Sequence, residues 1–246
     1  METSLILALD YETEWSEPVN PHIIRPIELG AVLYDYVLRK PVEIFNGIIH
    51  EKDHKEMPPE LVQLTGITQK IKENHGVSPE DAMRSLNKMM EQADYVAAHN
   101  GNEFDKVVYE AECERLVVPV IDRPWIDTKV DVPYPDHIKT RKLTYLASEH
   151  KIPLTHTHRA LFDVLLMIGV MEQYDFNDII ELSKQPNVKA VATVSFHDKD
   201  LAKKRGYYWD GENKKWTKLL KELAAKKEKA EAPFPVQLLM QDSIDM

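Results

Sequence analysis

The sequence predicts an α/β fold, a mixed five-stranded sheet flanked by helices, with a small α+β module at its C-terminal end; three features of its 246 residues carry this. The run Leu5–Leu9 is apolar without interruption, as a central strand covered on both faces must be. Two further strand-like runs follow before any strong helical pattern. From there the order is helix, strand, helix, helix, helix with only two more strands, which suits a mixed sheet with the first strand central. Beyond Pro186, lysines interleave with aromatics around Asp210-Gly211, a strong hairpin signal.

The first strand ends in Asp10-Tyr11-Glu12, and a period of two puts the carboxylates on one face with Tyr11 on the other. Like charges this close raise each other's proton affinity unless a cation sits between them. Glu14 to Pro26 holds three prolines and no periodicity, so it reads as a loop able to reach over that strand end. Ile27–Tyr34 and Val42–Ile49 read as strands that complete an antiparallel meander with the first. Pro58 to Gly66 is a short helix with proline at its start and glycine at its stop. Ser78 caps a stronger one with an Ala82, Leu86, Met89, Met90, Ala93 stripe. Asp94–Ala98 is a strand running into His99-Asn-Gly-Asn-Glu-Phe-Asp105, then a helix to Leu116. A short strand at Trp125–Thr128, a Pro-rich loop to Asp136 and a helix from Lys142 to His150 precede His156–Asp163. There an apolar helix begins, with Thr157 placed to cap it. Asp163 is a charge inside that helix, costly to bury without a partner such as a cation.

Net charge is −10, unevenly spread: residues 1–183 carry −14, residues 184–230 carry +7 and the last sixteen −3. An acidic body with a basic rear segment suits a metal-dependent enzyme that delegates part of its substrate grip. The single cysteine, Cys113, excludes an internal disulfide and fits a reducing compartment. The acidic N-terminus precedes only a short apolar run, so no signal peptide or membrane span is expected, and the cytoplasm is the expected location.

Asp10-Tyr-Glu12, His99-Asn-Gly-Asn-Glu-Phe-Asp105 and His158-Arg-Ala-Leu-Phe-Asp163 together resemble the three motifs of the DEDDh (DnaQ-like) 3′→5′ exonucleases. Ile27-Glu-Leu-Gly-Ala-Val32, Leu64-Thr-Gly-Ile-Thr68 and Ile126-Asp-Thr128 support the likeness in their expected order, and the whole spans residues 5 to 175. Within that family the chain is similar to bacterial exonuclease-X-like proteins, through the third motif, Thr140-Arg-Lys-Leu143 and the C-terminal Gly206–Trp216 stretch. Tyr11, Glu14-Trp15, the extended loop to Pro26 and an added residue in the second motif depart from the family pattern.

The resemblance implies a ribonuclease H-like fold and two divalent ions, Mg²⁺ or Mn²⁺, held by Asp10, Glu12, Asp105 and Asp163, with His158 as general base. It implies substrate contacts from Tyr11, Thr13, Leu64, Gly66, Ile67, Asn100 and Phe104. His99, His150 and His156 read as structural. The implied activity removes nucleotides from DNA 3′ ends, single-stranded DNA included, in repair or proofreading. An exoribonuclease of the same superfamily and a non-catalytic nucleic-acid-binding or polymerase-associated subunit are the alternatives.

Three segments are expected: residues 1–183 as the exonuclease domain, 186–220 as the basic-aromatic module, and 221–246 as a charged helix with a flexible tail. In the module, Lys203, Lys204, Arg205, Trp209, Lys214, Lys215 and Trp216 are candidate nucleic-acid contacts, although the two tryptophans suit a mini-domain core equally well. A charged helix is expected over 217–230. Val236–Met240 resembles a sliding-clamp-binding peptide, a route to a replication or repair protein, or packs back onto the body. The module is expected to supply grip, separable from turnover.

Overall fold

A computed structural model of the chain describes residues 4–14, 25–51, 57–135, 137–138, 140–154, 156–211 and 213–240. Most of the Glu14–Pro26 loop lies outside the described residues.

The apolar run at the start is β1 (Leu5–Thr13), and β2 (Pro26–Asp35) and β3 (Lys40–Ile48) continue the meander. There follow α1 (Pro59–Thr65), α2 (Gln69–His75), α3 (Pro79–Met90), β4 (Tyr95–Ala98), α4 (Asp105–Leu116) and β5 (Trp125–Asp127). Then come α5 (Leu143–Glu149), α6 (Ala160–Met171) and α7 (Phe176–Ser183). The sheet has five strands in the order β3-β2-β1-β4-β5, so β1 is central as the sequence predicts. Its neighbours differ in direction: β2 is antiparallel to it and β4 parallel.

The period of two sorts the core into two layers. Ile6, Ala8, Val32 and Tyr34 face α5, α6 and α7, while Leu7, Leu9, Tyr11, Leu29 and Leu33 face α3 and α4. Asp10 and Glu12 share the parity of Ile6 and Ala8, so they emerge on the α6 side. Ser78 caps α3 as expected, its hydroxyl accepting the Asp81 N–H at 3.1 Å. Gly66 closes α1 with φ 74, the left-handed conformation that favours glycine. Two helices were not foreseen: α2, capped by Thr68, and α7, capped by Asp175.

The rear segment builds a second sheet from β6 (Asn187–Ala192), β7 (Tyr208–Asp210), β8 (Lys215–Lys221) and β9 (Val236–Met240), with α8 (Lys199–Lys204) and α9 (Glu222–Glu231) between them. Its order is β7-β8-β6-β9, antiparallel throughout. Three expectations are corrected here. Residues 217–221 are strand, not helix, because Thr217–Lys221 pair with Asn187–Val191 of β6. The segment 221–246 is not simply a helix and flexible tail, since Val236–Met240 pairs with Val188–Ala192 as an edge strand. A boundary at 220 would therefore cut Lys221 from β8 and β9 from its own sheet; residues 241–246 lie outside the described residues. Among the described residues no helix is long and apolar enough to cross a membrane.

Candidate active site

The site is built where α6 meets the end of β1. Across the β1–β2 ladder Asp10 faces Gly30 and Glu12 faces Glu28. Gly30 lets the helix start lie directly on the sheet: a Cβ there would fall 2.3 Å from the Leu161 nitrogen. Glu28 is buried, and its carboxylate takes the Arg159 guanidinium at 2.7 to 3.2 Å and the Ala160 N–H at 3.0 Å. An acid on β2 thus satisfies the first free amide of α6, the work of a cap done from another element. Thr157 does not cap the helix, since Arg159 occupies the N-cap position.

So anchored, α6 brings Asp163 to the two β1 acids. Asp10, Glu12 and Asp163 each offer a carboxylate oxygen, and the three oxygens lie within 4.8 Å of one another. Asp163 also accepts the His158 backbone N–H at 2.9 Å. His158 is exposed, in a bend with φ 64 immediately before the helix.

Burial, then Asp105, Glu12 and Asp163, hold the Asp10 carboxyl far above its usual range. Glu12 is pushed up to about 8 by burial, then by Asp163 and Glu28, with Arg159 opposing. Asp105 is pushed up to about 8 by burial, against the Tyr11 N–H and its own amide. Asp163 is raised by burial, with the His158 N–H opposing. Such a group must keep protons or take up a cation, and a set of hard carboxylate oxygens fits a hard divalent ion.

The other predicted residues divide. Asp105, buried at the first position of α4, lies outside the trio; its Oδ1 accepts the Tyr11 N–H at 3.1 Å, which seats it behind Asp10. Tyr11 is no substrate contact: it is buried on the opposite face, its hydroxyl on the Met83 sulfur, as the period of two requires. Ile67 is also withdrawn from any substrate wall, being buried with Ile27 and Met57, and Thr13 is buried. Leu64 is 48% exposed beside Gly66 and stays available. Asn100, at φ 69, accepts Lys129 Nζ through its side chain at 2.6 Å, and Phe104 packs against the α3–α4 layer. His99 is structural as expected, bonded to Thr128 and to the Arg141 carbonyl, and burial holds it down to about 4.

In the module, Trp209 and Trp216 are cross-strand partners with ring centroids 5.6 Å apart. Trp216 leans into the module core, whereas Trp209 is 52% exposed. Lys203, Lys204, Lys214 and Lys215 are exposed. Arg205 is committed to a two-pronged ion pair with Glu228 at 2.8 and 3.0 Å, which removes it from the candidate contacts.

Sequence reasoning missed Glu28, Arg159 and Asp127 as builders of the site. Asp127 is buried and raised to about 6 by burial; its carboxylate accepts the N–H groups of Asn100, Asn102 and Lys129 and so holds the loop between β4 and α4. Glu28 and Asp127 had a signal, a lone charge within an otherwise apolar strand or at its end, whereas Arg159, at the start of α6, had none.

A central strand and two helix starts thus gather carboxylates that could hold a divalent cation on an α/β fold. The RNase_T exonuclease family model matches residues 7–171, two-thirds of the chain and all five motif residues, and the chain belongs to this exonuclease family, in its DEDDh branch. Among solved structures it is similar to Escherichia coli exonuclease I, with a TM-score of 0.63 at 16% identity over 96% of this chain and 62% of that one. Exonuclease I in complex with a dA16 oligonucleotide aligns with a TM-score of 0.60, 16% identity and coverage of 82% and 50%. The nuclease domain of 3′hExo, a DEDDh family member bound to rAMP, aligns with a TM-score of 0.57, 16% identity and coverage of 70% and 91%. The chain thus spans only 50% to 63% of the exonuclease I chains it matches. No curated protein matches the sequence.

Proposed function

We propose that the chain is a metal-dependent 3′→5′ exodeoxyribonuclease that removes nucleotides from DNA 3′ ends in repair or proofreading. The observation that carries the reading is the convergence of Asp10, Glu12 and Asp163 oxygens within 4.8 Å on an exonuclease-family fold. These three residues would hold one divalent ion, Mg²⁺ or Mn²⁺, and Asp10 with Asp105 would serve a second. Bound there, the ions would supply a more acidic attacking water and charge neutralisation at the phosphate.

The chain's own residues do the rest. Arg159 and Glu28 fix the start of α6 and thereby the reach of Asp163. The imidazole of His158, exposed beside Asp163, accepts the proton of the attacking water as general base. Leu64 and the turn at Gly66 border the terminal nucleoside, with Asn100 and Phe104 ordering the second motif. Trp209, with Lys203, Lys204, Lys214 and Lys215, grips single-stranded substrate through stacking and phosphate contacts. A DNA substrate is supported by the alignment with exonuclease I chains crystallised with deoxyoligonucleotides. An exoribonuclease is the second reading, favoured by the similarity to 3′hExo bound to rAMP. Val236–Met240 serves as the edge strand β9, which favours packing onto the module over a free partner-binding peptide.

The test is digestion of end-labelled single-stranded DNA and RNA of one sequence side by side, with Mg²⁺ and then with EDTA. Stepwise shortening of DNA from the 3′ end, abolished by EDTA, is expected. Preferential RNA shortening selects the second reading, and EDTA-resistant hydrolysis sinks both.

A further inference from the structure

A buried ion pair joins the C-terminal module to the turn after β5, which is itself hydrogen-bonded to the loop that presents Asp105. Lys221 ends β8 and is 6% exposed, while Asp131 lies just beyond β5 and is 1% exposed; Lys221 Nζ and Asp131 Oδ1 are 2.5 Å apart. The same ammonium donates to the Gln185 carbonyl at 3.0 Å, and the Glu222 N–H meets the Pro186 carbonyl at 3.2 Å, so the end of β8 is braced on both sides. The other oxygen of Asp131 accepts the Asp127 N–H at 2.8 Å. Asp127 then holds the Asn100 N–H at 2.9 Å and the Asn102 N–H at 3.4 Å. That loop runs directly into Asp105, whose carboxylate takes the Tyr11 N–H next to Asp10.

Stability alone is a poor reason for such a pair. Desolvating two charges offsets most of their attraction, and a well-packed apolar pair in the same place often serves the fold as well. What a buried pair with further hydrogen bonds does supply is a fixed geometry, and here the geometry crosses from the module to the second motif.

We infer that Lys221 is a positioning residue for the exonuclease centre: by fixing Asp131 it fixes Asp127, and with Asp127 the loop that presents Asp105. The inference rests on the exonuclease reading of the site. It makes the module part of the catalytic unit, in place of the detachable grip that its composition suggests. Deleting residues 186–246 would strip Asp131 of its cation and would impair turnover as well as substrate affinity.

The test uses the full chain and three variants, Lys221→Met, Lys221→Met/Asp131→Asn, and Lys226→Met as an exposed control on α9. Hydrogen exchange at the Asn100 and Asn102 amides, thermal melting, and kcat and KM on a single-stranded oligonucleotide at saturating Mg²⁺ are measured. Lys221→Met should lower kcat at least tenfold, with a smaller change in KM, and speed exchange at both amides. The double variant removes both buried charges, so it should regain the melting temperature but not the turnover; the new amide still accepts the Asp127 N–H yet no longer ties it to the module. Lys226→Met should match the wild type. Wild-type kcat and amide protection in the folded double variant overturn the inference, as does a rise in KM at unchanged kcat, which would make Lys221 part of the substrate grip. If the wild type degrades no nucleic acid, the exonuclease reading fails, while the amide exchange still decides whether Lys221 positions the loop.

Discussion

Gly30→Ala tests whether the contact of α6 with β2 sets the catalytic geometry. The added Cβ would lie 2.3 Å from the Leu161 nitrogen and 2.5 Å from the Ala160 carbonyl carbon, where ordinary contact begins at 3.4 Å. Both atoms are backbone, so no rotamer change relieves the clash, and the start of α6 must retreat by about 1 Å. Asp163 rides on the first turn of that helix, and its oxygen must stay within a cluster 4.8 Å across. Overpacking of this kind costs about 1 to 3 kcal/mol of stability. A displacement of about 1 Å in a positioned group costs roughly 10²-fold in rate. Turnover is therefore expected to fall roughly 100-fold, with half-maximal activity moved to higher Mg²⁺ concentration. The assay is a Mg²⁺ titration of kcat on a labelled oligonucleotide, paired with urea unfolding. Gly211→Ala is the control, because a Cβ there meets nothing within 4 Å. A folded Gly30→Ala protein with wild-type turnover and metal response would show that the close approach does not govern the site.

Four further outcomes follow from the same geometry. Asp10→Asn is expected to abolish hydrolysis while metal-free melting stays level or rises, since one of several crowded buried carboxylates is removed; substantial Mg²⁺-dependent activity in the variant refutes the ligand assignment. His158→Ala should cost roughly 10²-fold to 10⁴-fold in turnover with the Mg²⁺ requirement unchanged; a shifted requirement at unchanged maximal turnover would make the histidine a metal support. His99, whose folded value is held down to about 4 from 6.5 by burial, binds fewer protons in the native than in the unfolded state. Stability should therefore be lost as pH falls from 6.5 through 4, by about 3 kcal/mol at the limit, and urea midpoints of His99→Gln should show that window flattened. Trp209→Ala should weaken single-strand binding by about 1 to 3 kcal/mol without altering melting, whereas Trp216→Ala should lower the melting temperature; equal melting losses in both would make the pair purely a core.

What the sequence made legible is what short-range physics controls. The apolar run of β1 announces a covered strand, the period of two sends Asp10 and Glu12 to one face, and a lone carboxylate in an apolar helix marks Asp163. The period also contradicted the likeness-based assignment of Tyr11, and the structure sides with the period: that ring is buried against α3. Helices α2 and α7 escaped because each has eight residues or fewer, too short to stand on propensity, and packing supplies the rest. The β8–α9 boundary escaped because Thr217–Lys221 suits either state locally and only the ladder with β6 selects strand. Glu28 and Arg159 lie 131 positions apart in the chain, so nothing in either neighbourhood could announce their pairing.

The same distinction between local and distant applies to charge. A +7 segment on a −14 body reads as a substrate grip, and a count cannot say which cations face outward. Lys221 is spent on Asp131 and Arg205 on Glu228, both in contacts that hold elements together. Lys189, Lys203 and Lys226 also meet carboxylates, though in exposed pairs that salt and substrate phosphates can readily displace. On the proposed reading, a polyanion would be attracted by exposed lysines such as Lys204, Lys214 and Lys215, while Lys221 and Arg205 serve geometry. A basic segment can thus be both grip and brace, and burial, not composition, tells which residue does which.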